Sequence, residues 1–154
     1  MMQKPNMFED FAIGLTFTSQ PRKVLAEEII AFASEFDPQP MHLSEDGGKA
    51  SILGGLAASG WHTSAIMMRL MFETFLKETA AEGSPGLDYL DWRKPVLAGD
   101  ELTLKSTVLS TKRLNSKPGL GMVTFRHEVS NQKGDIVLQT ENPAMVRMRH
   151  PEKG

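Results

Sequence analysis

The sequence predicts an α+β fold in which one antiparallel sheet packs against a long helix. Three observations support this prediction. Two segments in the first half of the chain repeat apolar residues with the period of a helix, the second half alternates apolar and polar residues with the period of a strand, and turn residues separate the alternating segments. Because 154 residues are enough for one hydrophobic core, a single domain over 1–154 is expected.

The first elements are a strand and a helix. Residues 15–24 are predicted to form a strand. A helix is predicted over 26–36, where four apolar residues have the spacing of one helix face: Ile29, Phe32, Ala33 and Phe36. Pro38 cannot continue this helix, so it is expected to end near Asp37.

A long second helix is predicted to begin at Ser59 or Gly60, with Ser59 as its N-cap, and to end near Leu76. Ten of the sixteen residues from Trp61 to Leu76 are apolar, so we expect the helix to be buried on almost every side. Its methionines are predicted to fill the core, and an adaptable acyl-binding surface is the alternative interpretation.

A narrow polar stripe remains on this helix, formed by His62, Arg69 and Glu73. Arg69 and Glu73 are four residues apart and are expected to pair across one helical turn. His62 lies in the first turn, and we expect a surface or interface residue there rather than a catalytic one.

Four strands are predicted after the helix, over 87–96, 102–108, 123–129 and 144–148. With the N-terminal strand they make a sheet of about five strands. His127 is in register with the apolar residues of its strand, which predicts a core or interface histidine with a hydrogen-bond partner.

Asp37 and His42 are a candidate acid/base pair. They are five residues apart in a turn that Pro38 and Pro40 stiffen, so both side chains can point into one cavity with little loss of entropy. The alternative is a helix terminator beside a solvated histidine.

A glycine-rich segment, 51–61, leads into the long helix. The first N–H groups of a helix have no partner within it, and Gly60 has no side chain to keep a carbonyl at a distance. The start of this helix is therefore a candidate oxyanion site. The alternative is a tight turn where two backbone segments meet.

Charge and composition argue against several classes of function. The chain has 17 basic and 19 acidic residues and no strong basic patch, which argues against nucleic-acid binding. Lys112, Arg113 and Lys117 cluster in one hairpin, which either contacts the phosphates of a ligand or is a solvated loop. The four histidines lack the paired spacing of metal ligands, so no metal is expected.

The location of the protein is predicted from what the sequence lacks. The long helix carries charges and is shorter than a membrane span, so no membrane association is expected. There is no cysteine, and the N-terminal residues do not form an apolar signal segment. We therefore expect a cytoplasmic protein.

The order of three motifs resembles the MaoC-like dehydratases, a hot-dog-fold family that includes (R)-specific enoyl-CoA hydratases. These motifs are the segment 36–42 with the Asp/His pair, Ser59-Gly60-Trp61 at the start of the long helix, and the segment 92–102, which runs from Trp92 to Leu102. The resemblance implies that Asp37 and His42 form the catalytic dyad and that the Gly60 N–H binds the thioester oxygen. It also implies a homodimer whose sheets join edge to edge, with an acyl-CoA channel at the subunit boundary.

Two positions depart from the family pattern, since the family commonly has Asn where this chain has Gln39 and His where it has Ser59. Trp61, next to Gly60, is expected to bound the acyl site. The function expected is reversible hydration of a trans-2-enoyl-CoA to the (R)-3-hydroxyacyl-CoA, with no cofactor apart from the coenzyme A of the substrate. Three alternatives stay open: an acyl-CoA thioesterase, a non-catalytic acyl-thioester binding module, and a dehydratase of branched, hydroxylated or dicarboxylic acyl-CoA.

Overall fold

The computed structural model describes residues 5–151, so the outermost residues of the predicted 1–154 domain lie outside the described part. Within it are three α-helices, α1 (Ala26–Phe36), α2 (Glu45–Lys49) and α3 (Gly60–Thr74). The strands are β1 (Thr16–Thr18), β2 (Arg22–Lys23), β3 (Tyr89–Trp92), β4 (Glu101–Arg113), β5 (Leu120–Ser130) and β6 (Ile136–Arg147). Short 3-10 helices lie at Phe8–Asp10, Pro40–His42 and Leu76–Glu78.

The strands form one antiparallel sheet in the order β1-β4-β5-β6-β3, and β2 also pairs with β4. The long strands β4, β5 and β6 are central in this order. Each alternates buried and less buried residues, in β4 as far as Val108. Their buried residues face α3, which lies across the sheet. This is the hot-dog arrangement, and the α+β prediction is confirmed.

The core lies between the sheet and one face of α3. The helix contributes four large apolar residues to it, Ile66, Met67, Leu70 and Met71. Phe75 follows the helix and packs on Phe125 of β5, with ring centroids 5.2 Å apart. The prediction that the methionines fill the core is therefore confirmed for Met67 and Met71.

The prediction that α3 is buried on almost every side is wrong. Trp61, Met68 and Phe72 are 64%, 50% and 46% exposed. The reason is geometric, since the sheet covers only one side of the helix and these three residues lie on the other. The pairing of Arg69 with Glu73 is confirmed, with Nε 2.6 Å from Oε1.

The expectation of a surface or interface His62 is also wrong. Helix α1 covers this position, and the ring of Phe32 stacks on His62 with centroids 4.8 Å apart. Burial lowers the pKa of His62, so the ring is neutral at neutral pH. The expectation for His127 is confirmed, because it is fully buried in β5 with Nδ1 2.7 Å from Ser106 Oγ.

The sheet has six strands because the N-terminal strand predicted over 15–24 is two strands, β1 and β2. Between them, the Ser19 hydroxyl accepts the N–H of Leu104 at 2.8 Å in place of a regular ladder bond, and Pro21 has no N–H to donate. The strand predicted over 87–96 is shorter, since β3 ends at Trp92 and Pro95 follows.

Candidate active site

The end of α1 brings Asp37 and His42 together. Asp37 is the C-cap residue, and its N–H still donates to Ala33 O at 2.8 Å. Pro40 then begins a single 3-10 turn that ends at His42. As a result, His42 Nε2 lies 3.4 Å from Asp37 Oδ2. The five-residue spacing therefore places the two side chains against each other.

The orientation of His42 is set by its other ring nitrogen. Nδ1 lies 2.7 Å from the carbonyl oxygen of Ala57, and the imidazole is buried. A carbonyl oxygen can only accept a hydrogen bond, so Nδ1 carries the hydrogen and donates it. In neutral His42 the free lone pair is therefore on Nε2, the atom that faces Asp37.

The carboxylate of Asp37 accepts two further hydrogen bonds. Ser59 Oγ donates to Oδ2 at 2.7 Å, and Gln39 Nε2 donates to Oδ1 at 2.7 Å. The Ser59 and Gln39 bonds, with a smaller effect of the His42 charge, hold the pKa of Asp37 below its ordinary value. Asp37 is therefore a carboxylate throughout the neutral range.

Two acceptors thus converge on one point, the Nε2 lone pair of His42 and the Oδ2 oxygen of Asp37. A water molecule has two O–H donors and can bond to both. Such a water is positioned for loss of a proton to the imidazole while the carboxylate fixes its direction.

The start of α3 faces the same region. Ser59 is the N-cap residue, but its hydroxyl is bonded to Asp37 and does not cap the helix. In the described part of the chain, the backbone N–H groups of Gly60 and Trp61 have no internal acceptor. They carry the positive end of the helix dipole and can receive an oxyanion.

Gly60 is required by the close approach of Trp92. A Cβ built on Gly60 would lie 2.7 Å from Cε2 of the Trp92 indole, much closer than such atoms normally approach. The indole is held in place because its Nε1 donates to Ser64 Oγ at 3.2 Å. The absence of a side chain at Gly60 therefore allows β3 to pack against the start of α3.

A cavity of about 250 Å³ connects these groups. Part of its lining comes from the dyad loop, the glycine-rich segment and the start of α3: His42, Leu53, Ala57, Ala58, Gly60 and Thr63. The rest comes from the end of β3, the segment after it and one residue of β6: Trp92, Arg93, Lys94, Pro95, Val96 and Val137. The cavity thus contains one member of the dyad and the start of α3.

Comparison with known proteins identifies the family. Residues 10–131 match the sequence profile of the MaoC like domain. The chain is a MaoC-like domain protein. The resemblance that the motifs suggested is therefore confirmed.

Relatives of this MaoC-like protein agree over most of its length. The crystal structure of a MaoC-like dehydratase from Rhodospirillum rubrum is 42% identical, with a TM-score of 0.87 over 94% of this chain and 98% of that one. Protein YdeM of Bacillus subtilis, which is uncharacterized, is 31% identical over 140 residues, 90% of this chain and 97% of YdeM. Mesaconyl-CoA hydratase of Cereibacter sphaeroides is 32% identical over 145 residues, 92% of this chain but 41% of that enzyme. The chain therefore spans less than half of that hydratase.

Trp61 and the basic hairpin, two other predicted binding features of the MaoC-like protein, lie outside the cavity. The Trp61 side chain does not line it but packs edge-on against Trp92, with ring centroids 5.1 Å apart. The basic hairpin is at the other end of the sheet, because Leu120 beside it pairs with Arg147, whereas Val137 near the start of β6 lines the cavity. Within one chain, this hairpin does not meet the dyad.

Several site residues were not predicted from the sequence. No local sequence pattern indicated that Ala57 or Arg93 belongs to the site. Ala57 contributes only its backbone carbonyl oxygen, and Arg93 is 51 positions from His42. The motif Trp92-Arg93-Lys94-Pro95 carried the family resemblance and was the available signal for this wall. Among residues 5–151, no three His, Asp or Glu side chains form a group able to hold a metal ion, and no helix there is long and apolar enough to cross a membrane.

Proposed function

We propose that this MaoC-like protein reversibly adds water to a trans-2-enoyl-CoA thioester to give the (R)-3-hydroxyacyl-CoA. The observation that carries the proposal is the convergence of His42 Nε2 and Asp37 Oδ2, 3.4 Å apart, beside the free N–H groups that begin α3. Family membership and the relative named as a mesaconyl-CoA hydratase support hydration of an enoyl thioester. The (R) configuration is what the resemblance implies.

In this proposal His42 handles the proton in both directions. Its Nε2 takes a proton from the bound water as the hydroxide oxygen bonds to C3. The C2–C3 π electrons move toward the thioester, whose oxygen becomes an enolate oxyanion, and Nε2–H then returns the proton to C2. One water is added in total, and His42 is regenerated in its neutral form.

Asp37 and Gly60 supply electrostatic stabilisation. Asp37 keeps its charge because its two oxygens accept from Ser59 and Gln39, so it stabilises the imidazolium that forms transiently at His42. The Gly60 N–H, with the dipole of α3 behind it, stabilises the enolate oxygen. Neither step calls for a cofactor beyond the coenzyme A of the substrate.

The proposal includes a homodimer. The edge strand β3 has no partner on its outer side within the described chain, and apolar residues of α3 and its neighbours are exposed beside it. These residues are Trp61, Met68, Phe72, Leu87 and Trp92. Such a surface supports the edge-to-edge pairing that the resemblance implies, because exposed strand edges and apolar patches mark interaction sites.

The proposal is tested with crotonyl-CoA and a thiol reagent in the same cuvette. We expect the enoyl-thioester absorbance to fall without release of free coenzyme A, and the product to be the (R) enantiomer. Release of free coenzyme A would show a thioesterase. Binding of crotonyl-CoA, longer enoyl thioesters and a dicarboxylic enoyl thioester without any reaction would show a binding module, and both results would overturn the proposal.

A further inference from the structure

The cavity at the dyad has an uncompensated positive charge. Arg93 and Lys94 line it, and its lining includes no acidic side chain. Lys94 is already paired, with Nζ 3.2 Å from Asp135 Oδ2. The carboxylate of Asp37, which contacts the lining residue His42, has both oxygens engaged by Ser59 and Gln39. The charge of Arg93 is therefore available to a ligand.

Every other arginine in the described part of the chain has a partner within the protein for its guanidinium, and Arg93 has none. Five arginines form ion pairs with acidic side chains: Arg22 with Glu28, Arg69 with Glu73, Arg126 with Glu141, Arg147 with Glu82, and Arg149 with Asp10. The guanidinium of Arg113 donates to the carbonyl oxygen of His150 at 3.1 Å. The side chain of Arg93 forms no hydrogen bond or ion pair within residues 5–151.

The backbone holds Arg93 at a fixed position. Its N–H donates to Val137 O at 2.7 Å, which continues the pairing of β3 with β6 past Trp92. Pro95 restricts the chain two residues later. The guanidinium therefore extends from a rigid point on the cavity wall, and only its side-chain torsions have to be fixed when an anion binds.

We propose that Arg93 binds a carboxylate carried by the acyl group, so that the substrate is a dicarboxylic enoyl thioester. Guanidinium and carboxylate groups form two parallel charge-assisted hydrogen bonds, a geometry that a neutral methyl end cannot reproduce. This inference rests on the proposed function, because it assumes that the thioester binds beside His42 and Gly60.

The phosphates of coenzyme A are the other source of an anion with the same chemistry. They are separated from the thioester by the whole pantetheine arm. Arg93 lines the same cavity as His42, so an anion bound by its guanidinium is near the reacting end of the thioester rather than at the far end of that arm. The acyl carboxylate is therefore the ligand that the geometry favours.

The test measures binding of saturated thioesters, which cannot be hydrated. Calorimetry would compare the binding affinity of each dicarboxylic acyl group with that of its neutral counterpart, glutaryl with valeryl and succinyl with butyryl. Each acyl group would be tested both as a coenzyme A thioester and as a pantetheine thioester. The proteins are wild type, Arg93→Gln, Arg93→Lys and the control Arg147→Gln, whose arginine pairs with Glu82 away from the cavity. Because Arg93 is exposed, the variants are expected to fold, and circular dichroism verifies this.

We expect wild type and Arg147→Gln to bind at least one dicarboxylic ligand about 10- to 100-fold more tightly than its neutral counterpart, on both carriers. Arg93→Gln should abolish this preference, and Arg93→Lys should retain part of it. No preference in the wild type would overturn the inference. So would an Arg93→Gln variant that binds all coenzyme A thioesters equally weakly and all pantetheine thioesters normally, since that result identifies a phosphate site.

Failure of this inference and failure of the proposed function give different results. If the protein hydrates crotonyl-CoA but shows no preference for a carboxylate, the hydratase proposal stands and the inference of a dicarboxylic substrate is wrong. If the protein binds glutaryl or succinyl thioesters through Arg93 but hydrates no enoyl thioester, the anion site stands and the hydratase proposal is wrong.

Discussion

The hydroxyl of Ser59 donates to Asp37 Oδ2 at 2.7 Å, although the two residues are 22 positions apart in the sequence. Ser59 occupies the N-cap position of α3 and is almost fully buried. A bond to a carboxylate is stronger than a bond to a neutral N–H group, so the hydroxyl turns to Asp37 and leaves the first N–H groups of the helix free. One serine thereby orients the carboxylate of the proposed dyad and leaves the proposed oxyanion donors free.

Replacing Ser59 with alanine should weaken both the fold and the proposed activity. The buried charge-assisted bond is lost, so we expect the free energy of unfolding to fall by about 1–3 kcal/mol. We also expect kcat/KM for enoyl-CoA hydration to fall about tenfold or more. The pKa of Asp37 should move back toward its ordinary value, because the Ser59 bond is the largest cause of its lowering. Carbon-detected NMR titration of the Asp37 carboxylate measures this shift.

The sign of the associated pH effect follows from the lowered pKa. Asp37 stabilises the folded protein at pH values above the pKa of the unfolded carboxyl, and this contribution is lost as pH falls through the folded pKa.

Gln39→Ala is the matched control for Ser59→Ala. It removes the second hydrogen-bond donor to Asp37 from an exposed position, so it should lower the free energy of unfolding by less. An Asp37 pKa that is unchanged in Ser59→Ala would contradict the assignment.

Gly60→Ala should lower kcat/KM for hydration about 10- to 100-fold with little change in stability. The new methyl group displaces the Trp92 indole, which lies 2.7 Å from the ideal Cβ position, and this changes the part of the cavity wall that Trp92 forms. Helix propensity at this position favours alanine and offsets part of the clash. Tryptophan fluorescence would report the displacement, and unchanged kinetics together with an unchanged spectrum would show that the close packing has no role in the site.

His127 should make the fold less stable in mild acid. Burial lowers its pKa to about 4, whereas in the unfolded chain the ordinary value is about 6.5. Between these values the unfolded state binds the proton and the folded state does not. The free energy of unfolding therefore falls as pH decreases from about 6.5 to about 4, by roughly 3 kcal/mol from this residue.

Urea denaturation of wild type and His127→Gln at a series of pH values measures that contribution. We expect the difference in unfolding free energy between the two proteins to change by about 2–3 kcal/mol across this interval. Because other titrating groups, including the buried His62, are common to both proteins, they cancel in the comparison. Parallel pH profiles would contradict this prediction, because they would mean that folding does not lower the pKa of His127.

The regular elements could be predicted because their signals are local. Helix α1 and the strands β4 and β5 follow from apolar periodicity, and the turn between Asp37 and His42 follows from its two prolines. Strand β6 was predicted only in part, because it begins at Ile136, eight residues before the predicted strand. The burial of His62 could not be predicted in this way, because it depends on α1 packing over α3. The division of the first strand likewise depends on Ser19, whose hydroxyl meets a strand 85 positions away.

Contacts between site residues could be predicted when the residues share one loop. They could not be predicted when the tertiary structure brings distant segments together. Asp37 and His42 share a loop, so their spacing indicated a pair. Ser59 was expected to cap its own helix, since its preference for that position is local and the competing carboxylate is distant in sequence. Arg93 is distinguished only by the lack of an internal partner, which becomes visible once every other arginine has been placed.

The central claim is that Asp37 and His42 act together on one water, and a double-mutant cycle tests it most directly. The measurement is kcat/KM for crotonyl-CoA hydration by wild type, Asp37→Asn, His42→Asn and the double variant. His42→Asn keeps an N–H donor for the Ala57 carbonyl while removing the Nε2 base. We predict that each single change lowers kcat/KM by roughly 10²–10⁴-fold and that the double variant is little worse than either. Losses that multiply in the double variant, or a single variant with near wild-type activity, would contradict the shared-water mechanism.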